Sequence, residues 1–471
     1  MRSVQTEDLL RPMAELAPLI RRREISAVEL TEAYLERLLS LGPRYNALAT
    51  ETTGLARAQA RAADDEIRHG RYRGPLHGIP WGAKDLLATK GVPTTWGAAP
   101  CRDQVFDFDA TVVTRLREAG AVLIGKLAMV EFAGGLGYRW AKASLQGPGL
   151  NPWNTDRWTG GSSSGSGATV AAGLAGFAIG TETWGSILCP SAFCGVTGLR
   201  PTYGRVSRHG GMVCAYSFDK IGPMARSAAD CRAILEAIAG HDPADPSSSQ
   251  RPVALHANAG RGPGGLRAAL IPGDFTQKGT EPAVRDAFER AVEDVRALGV
   301  KVEEAKLPEF PAAAVSGFLI NAEAVSNFES FYRDGTIREL SDDYAPYQPE
   351  ILAGASPADV VKAWRMRREL QRKMAAFFES YDVIVTPNFL SVAPPIDRDL
   401  YETLPYGDPV GAVGNACGLP AIALPCGLDP TGMPIGFQIV GAPWAEATLL
   451  ALGERYQRRT DYHRLHPRTG G

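Results

Sequence analysis

The stretch "RWTGGSSSGSGATVAAG", residues 157–173, contains four serines and five glycines. Such a run can be a flexible linker, a phosphate-binding loop or part of a catalytic apparatus. A linker would continue into polar residues, whereas this run leads into the small, apolar segment 167–180, which predicts a buried helix. No lysine follows the glycines, and the third glycine of the dinucleotide fingerprint is missing. These absences argue against both phosphate-binding loops and leave the catalytic explanation.

A second unusual stretch is "GTETWGSILCPSAFCG", residues 180–195, in which Ser186 lies 24 residues after Ser162. Gly185 precedes this serine, and the preceding residues are typical of an apolar strand that ends in a tight turn. A serine in such a turn presents its hydroxyl beside free backbone N–H groups. This arrangement is what an acyl-transfer nucleophile and its oxyanion hole require.

A serine nucleophile needs a base, and the seven histidines are poorly placed to supply one. They lie in a polar C-terminal segment, a charged helix, a loop region and glycine-rich turns. Lys84, in "PLHGIPWGAKDLLATKGVPTTWG" (residues 75–97), has an apolar setting rich in Gly and Pro. Burial there would disfavour the ammonium form, so Lys84 is the candidate base.

The three stretches resemble the three signature blocks of the amidase signature family: "GIPWGAKD" with Lys84, "GGSSSGS" with Ser162 and "GTETWGSI" with Ser186. Further similarity runs from the N-terminal "EISAVELTEAYLERL" to the C-terminal "NACGLPAIALPCG" and "MPIGFQIVG". The resemblance therefore covers almost the whole chain. It implies that Ser186 is the nucleophile, Ser162 a bridging serine in a cis-peptide setting and Lys84 the base.

The resemblance also implies a set of residues around this triad. Ser163 has two possible roles, a place in the loop and helix cap or the orientation of Lys84. Pocket walls are expected from segments 129–137 and 311–350. The predicted oxyanion and substrate-binding residues are Thr183, Trp184, Gly185 and Met129.

Two positions depart from the family pattern. Trp184 stands where many members have glycine, and its indole either shapes an apolar substrate pocket or points into the core. Leu188 and Cys189 stand where many members have an arginine shortly after the nucleophile. The missing cation argues against small dicarboxylic acid amides and against a role fed by glutamine.

The predicted function is an amidohydrolase that cleaves a linear amide, with anilides, esters and carbamates as further candidates, through an acyl-enzyme on Ser186. The alternative is the glutaminase (A) subunit of a tRNA-dependent amidotransferase. A catalytically silent scaffold is disfavoured because all three triad residues are present. No cofactor and no metal is expected. The expected partner is a small-molecule amide substrate, with no nucleic acid and no membrane, and a homodimer is left open.

Composition bounds these expectations. The 471 residues include 50 Lys and Arg against 52 Asp and Glu, a formal net charge of -2. No basic surplus points to nucleic acid. No apolar run of about 18 residues suggests a membrane span, and the seven cysteines are odd in number without a C-x-x-C pair. The expectation is a soluble, cytoplasmic protein.

Strand and helix patterns alternate along the chain, which predicts an α/β fold with a large mixed sheet covered by helices on both faces. The chain is expected to form a single domain, residues 1–471. An N-terminal helical region over about 5–70 precedes a catalytic core over about 75–240, which is completed by 265–460. Residues 240–266, rich in Pro, Gly and Ser, are predicted to form a long surface connection.

Overall fold

A computed structural model describes residues 2–135, 137–256, 264–404 and 407–468, and it does not describe the side chain of residue 351. The strands are β1 Leu48–Glu51, β2 Pro80–Lys84, β3 Val122–Leu127, β4 Leu150–Asn151, β5 Asn154–Trp158, β6 Phe177–Glu182, β7 Thr197–Arg200, β8 Lys220–Ala225, β9 Arg267–Leu270, β10 Lys301–Glu304, β11 Val383–Pro387, β12 Ala421–Leu428 and β13 Pro434–Gly441. The helices are α1 Met13–Arg21, α2 Ala27–Leu41, α3 Thr53–Arg68, α4 Thr111–Glu118, α5 Ser164–Ala171, α6 Leu188–Cys194, α7 Ala228–Ile238, α8 Gly273–Thr276, α9 Pro282–Ala297, α10 Ala312–Asn327, α11 Glu329–Arg333, α12 Gln348–Leu352, α13 Pro357–Phe377, α14 Leu400–Thr403, α15 Gly411–Ala416 and α16 Glu446–Thr460. Short 3-10 turns are Asp8–Leu10, Pro43–Tyr45, Ala99–Cys101, Glu131–Gly134, Thr336–Glu339, Ala345–Tyr347 and Tyr462–Arg464.

Eleven strands form one sheet in the order β1-β3-β2-β6-β8-β7-β12-β13-β11-β9-β10, and β4 and β5 form a separate hairpin. The sheet is mixed: β2 runs parallel to both β3 and β6, whereas β8 is antiparallel to β6 and to β7. Every residue of the central strands β6, β8 and β13 is buried. Because successive side chains of a strand point to opposite faces, both faces of the sheet are covered. The predicted α/β fold with a mixed, two-sided sheet is confirmed.

Local capping signals explain two of the longer helices. Ser26 caps α2 and forms a capping box with Glu29, and Ser356 caps α13 in the same way with Asp359. In each box the serine hydroxyl and the acidic side chain satisfy N–H groups that the first helical turn leaves without partners. Both helices therefore begin directly after a serine whose capping partner lies three residues further along the sequence.

The N-terminal region differs from its helical prediction at one point. Residues 48–51 form β1, which pairs antiparallel with β3 and so places this region at one edge of the sheet. Four residues carry too little periodicity to separate a strand from a helix terminus. Part of the predicted surface connection, residues 257–263, lies outside the described residues. The domain boundaries remain a prediction.

In the ranges that the structure describes, no helix combines the length and the apolar character needed to cross a membrane.

Candidate active site

Two neighbouring strands bring Lys84, the predicted base, and residues 183–187, here called the nucleophile loop after the predicted nucleophile Ser186, to one edge of the sheet. Strands β2 and β6 are parallel, with Ala83 opposite Ile179, and they end at Lys84 and Glu182. Parallel neighbours end at the same edge of a sheet, which is where sites in such folds form. The serine run, with Ser162 and Ser163, packs against this edge immediately before α5.

Lys84 is fully buried among hydroxyl and carbonyl groups. Its Nζ lies 2.7 Å from Ser162 Oγ, 2.9 Å from Thr181 Oγ1 and 3.4 Å from the Thr181 carbonyl oxygen. Burial lowers the pKa of Lys84 to about 7, and the weaker attraction of nearby acidic groups does not offset that effect. Thr181 was not singled out from the sequence, although it lies within the quoted block "GTETWGSI".

The serine run contains a cis peptide bond between Gly161 and Ser162. Ser163 Oγ donates to the Thr181 carbonyl at 3.2 Å and accepts from Thr181 N–H at 3.3 Å. A side chain at Gly180 would collide with it, because a Cβ there would lie 2.9 Å from Ser163 Oγ. Among the described residues this hydroxyl makes no capping bond to α5. Ser163 therefore contacts the residue that holds Lys84 rather than Lys84 itself.

The nucleophile loop turns sharply at Gly185, whose φ of +84° lies in the region that favours glycine. Ser163 N–H donates to the Ser186 carbonyl at 3.3 Å, which ties the loop to the serine run. Ser186 retains 7% exposure. Within the described part of the chain, the N–H groups of Trp184, Gly185 and Ser186 donate no hydrogen bond. These are free donors beside a serine hydroxyl, as an oxyanion hole requires.

Trp184 is half-buried and packs against the core. Its Nε1 lies close to the start of α15, since a Cβ on Gly411 would be 2.6 Å from it and 2.7 Å from Asp408 Oδ2. The Nε1 edge of the indole thus lies near Asp408, and part of the side chain remains exposed. Both predicted roles, pocket wall and core contact, stay open.

Asp408 was not predicted from the sequence, where nothing local distinguishes it. One oxygen, Oδ1, accepts from Gln438 Nε2 at 2.6 Å. The other, Oδ2, is buried and has no hydrogen-bond partner among the described residues. Burial raises the pKa of Asp408 to about 7 against the opposing charge of Arg200. Burying a carboxylate oxygen without a hydrogen-bond donor costs free energy. A ligand that donates a hydrogen bond to Oδ2 would remove this cost.

Buried ionisable side chains that were not predicted from the sequence also form hydrogen bonds to the nucleophile loop. Lys220 Nζ donates to the Thr183 carbonyl at 3.3 Å and to Asn415 Oδ1 at 2.6 Å. Thr183 Oγ1 donates to Asp219 Oδ1 at 2.6 Å. These groups come from β8, its preceding turn and α15, so only the folded chain brings them together.

The predicted pocket segments lie close to one another. Phe132 stacks on Phe328 with ring centroids 4.4 Å apart, which joins the two segments expected to form the pocket walls. Tyr138 lies beside the serine run, where a Cβ on Gly161 would be 3.2 Å from its hydroxyl. Met129 is fully buried, and its carbonyl and side chain lie close to Gly97. Its assignment as a substrate contact stays a prediction.

The described ranges hold no group of three or more His, Cys, Asp or Glu side chains suited to a metal ion.

Comparison with known proteins gives a consistent result over almost the full length. The amidase family model matches residues 29–450. The A subunit of glutamyl-tRNA(Gln) amidotransferase from Methylococcus capsulatus is 40% identical over 97% of this chain and 98% of its own. A solved vestigial protein complex related to an s-triazine catabolic enzyme has a TM-score of 0.87 at 30% identity, over 95% of this chain and 98% of that one. The peptide amidase of Stenotrophomonas maltophilia has a TM-score of 0.81 at 31% identity, over 96% of this chain and 97% of its own.

These findings correct one expectation. A stand-alone enzyme was expected, whose partner is a small-molecule amide, with no nucleic acid, no membrane and possibly a second copy of the chain; as a description of its partners this is wrong. Curated relatives that match the chain nearly end to end are subunits of a glutamyl-tRNA(Gln) amidotransferase. Of the two functions predicted from the sequence, the amidotransferase role is favoured over the stand-alone amidase. The chain belongs to the amidase family and is an enzyme that hydrolyses C–N bonds.

Proposed function

We propose that this member of the amidase family hydrolyses the side-chain amide of glutamine as the glutaminase (A) subunit of a tRNA-dependent amidotransferase. The chemistry is carried by one observation, the 2.7 Å approach of Lys84 Nζ to Ser162 Oγ in a fully buried setting. The assignment to an amidotransferase is supported by the 36–40% identity to the corresponding subunits of eight bacteria.

The three oxygens around Lys84 Nζ can accommodate a neutral amine. Such an amine has two N–H donors and one lone pair, and the two oxygens of Thr181 can accept both donors. The lone pair is then free to accept from the Ser162 hydroxyl. An ammonium ion would also find an acceptor for each of its three N–H groups, but it would donate to Ser162 Oγ and could not accept a proton from it. The neutral form is therefore the one that can act as a base.

The reaction follows from this starting state. Ser186 Oγ attacks the amide carbon, its proton passes to Ser162 Oγ, and the Ser162 proton passes to Lys84 Nζ. The carbonyl oxygen gains negative charge and is stabilised by the N–H groups of Trp184, Gly185 and Ser186. Lys84 and Ser162 then return the proton to the leaving nitrogen, which departs as ammonia and leaves an ester on Ser186. Water, deprotonated along the same route, then hydrolyses this ester.

Glutamine adds an ammonium and a carboxylate to the amide, and Asp408 suits the first of these. Its buried Oδ2 has no partner in the described ranges and lies next to the indole of Trp184, two residues before Ser186. A bound ammonium would give this oxygen its missing donor and would lower the raised pKa of the carboxyl. Leu188 and Cys189 offer no cation for the glutamine carboxylate. That group must be bound from elsewhere or by another protein of the complex.

The test is ammonia release from glutamine by the purified chain, alone and mixed with the remaining subunits of a glutamyl-tRNA(Gln) amidotransferase. We expect glutamine turnover that increases when those subunits are present. Peptide amides and anilides serve as competing substrates in the same assay. Rapid hydrolysis of those amides without any turnover of glutamine, in either mixture, would contradict the proposal.

A further inference from the structure

A buried ion pair lies next to the two ends of the nucleophile loop. Glu182, the last residue of β6, and Arg200, the last residue of β7, meet with Arg200 Nη1 2.7 Å from Glu182 Oε1. Both side chains are at most 1% exposed. Taking two charges out of water costs several kcal/mol each unless their geometry and hydrogen bonds compensate. We therefore expect this pair, which lies next to the predicted nucleophile, to have a structural role that offsets its cost.

The second carboxylate oxygen of Glu182 links the two ends of the nucleophile loop. Glu182 Oε2 accepts from the N–H of Ile187 at 2.9 Å and from the N–H of Leu188 at 3.1 Å. These two donors follow Ser186 directly and begin α6. The carboxylate thus fixes the distance between the end of β6 and the start of α6. The loop that carries Ser186 and the free N–H groups spans the gap between them.

Arg200 fixes the carboxylate in turn. Its Nε donates to the Leu419 carbonyl at 2.9 Å, so the guanidinium is anchored to the turn before β12 while Nη1 binds Glu182. Burial alone would raise the pKa of Glu182, but the charges of Arg200 and Lys220 and its hydrogen bonds lower that pKa to about 2. The carboxylate is consequently ionised at all working pH values and remains a strong acceptor.

We infer that Arg200, acting through Glu182, is a positioning residue for Ser186 and for the oxyanion donors of the nucleophile loop. The sequence places no cation immediately after the nucleophile, where Leu188 and Cys189 are buried. Arg200 supplies that charge from the adjacent part of the sheet. The inference rests on the proposed acyl transfer at Ser186.

The test measures the rate at which a fluorophosphonate labels Ser186, together with kcat and KM for an amide that wild type turns over. Labelling depends on the serine and its oxyanion donors but not on the identity of the physiological substrate. For Arg200→Met we expect labelling and kcat to fall about 10²- to 10³-fold, the size of losing one oxyanion donor, with KM nearly unchanged. Arg200→Lys should recover at least about tenfold, since it keeps a cation that can reach Glu182.

Two further variants separate positioning from general loss of stability. Arg205→Met breaks a matched buried pair, Arg205 with Glu446 at 3.4 Å, away from the nucleophile loop. It should lower the melting temperature but leave the labelling rate of the folded protein within about threefold of wild type. If Arg200→Met does not fold, Glu182→Gln removes the charge at nearly constant shape and should show the same loss.

The inference is overturned if folded Arg200→Met, or Glu182→Gln in its place, labels within threefold of wild type. It is equally overturned if Arg205→Met slows labelling as much as Arg200→Met does. An unlabelled wild-type protein would instead contradict the proposed function, so the two failures are distinguishable.

Discussion

The titration of Lys84 links activity and stability to the same proton, and replacing this lysine by methionine should remove both effects. Folding lowers the pKa of Lys84 from an ordinary value of 10.5 to about 7 because the amine is fully buried. Methionine has a similar length and no charge. Lys84→Met should therefore fold, lose the base and lose this titration.

The catalytic consequence is a rise of kcat/KM with pH. Only the neutral amine can accept the Ser162 proton, so activity should be about one tenth of its plateau at pH 6 and about nine tenths at pH 8. Lys84→Met should lose several orders of magnitude at every pH and show no such limb. The measurement is the pH–rate profile of both proteins with one amide substrate.

The stability consequence has a defined sign. Between pH 7 and pH 10.5 the unfolded chain holds a proton on Lys84 that the folded chain has released, so unfolding takes up a proton and a higher pH favours the folded state. From pH 7 to pH 9 this group alone should raise the free energy of unfolding by about 2 kcal/mol. Urea denaturation at both pH values, for wild type and Lys84→Met, gives the difference because other titrating groups cancel.

Ser186→Ala is the control, since it should abolish turnover but keep the pH dependence of stability. Two results would refute the reasoning. One is a wild-type free energy of unfolding whose increase from pH 7 to pH 9 equals that of Lys84→Met. The other is a wild-type activity limb near pH 7 that persists in Lys84→Met.

Three further substitutions address the rest of the site. Ser162→Ala should slow turnover strongly but less than Ser186→Ala, because a water molecule can partly replace Ser162 in the proton transfer. A kcat equal to that of wild type would show that Lys84 reaches Ser186 directly. Trp184→Gly should change the ranking of acyl groups by about tenfold or more if the indole lines the pocket, and a uniform loss across short and bulky substrates would assign it to the core. Asp408→Asn should raise KM for glutamine at least about tenfold, the loss of one charged hydrogen bond, while KM for an amide without an ammonium stays constant; equal effects on both would contradict ammonium binding there.

Local signals made the fold and the three signature blocks readable in the sequence. Ser26 and Ser356 indicate the starts of their helices through capping boxes that lie within four residues. The glycine-flanked serines and Lys84 likewise stand in short blocks, and the structure brings Lys84 and Ser162 into contact. Strand β1 was missed because its four residues pair with β3, a partner far along the chain.

The supporting residues could not be read in this way. Arg200 binds Glu182 and Lys220 binds the Thr183 carbonyl from other strands of the sheet, and Asp408 approaches Trp184 from the segment before α15. Their positions follow from strand order, which alternation of strands and helices does not determine. The expectation about partners failed for a related reason. Whether a surface binds another protein depends on residues spread over the whole chain, and composition averages over them.

The end of strand β6 has a consequence for how such an enzyme can diversify. Thr181 and Glu182 are consecutive, and their side chains point to opposite faces of the sheet, one toward Lys84 and the other toward the nucleophile loop. Inserting or deleting one residue there would exchange the two faces and dismantle both ends of the reaction at once. New substrates must therefore be acquired through substitutions elsewhere, in segments such as 311–350. Evolution, or a mutant library, can vary those segments while this pair of neighbours stays fixed.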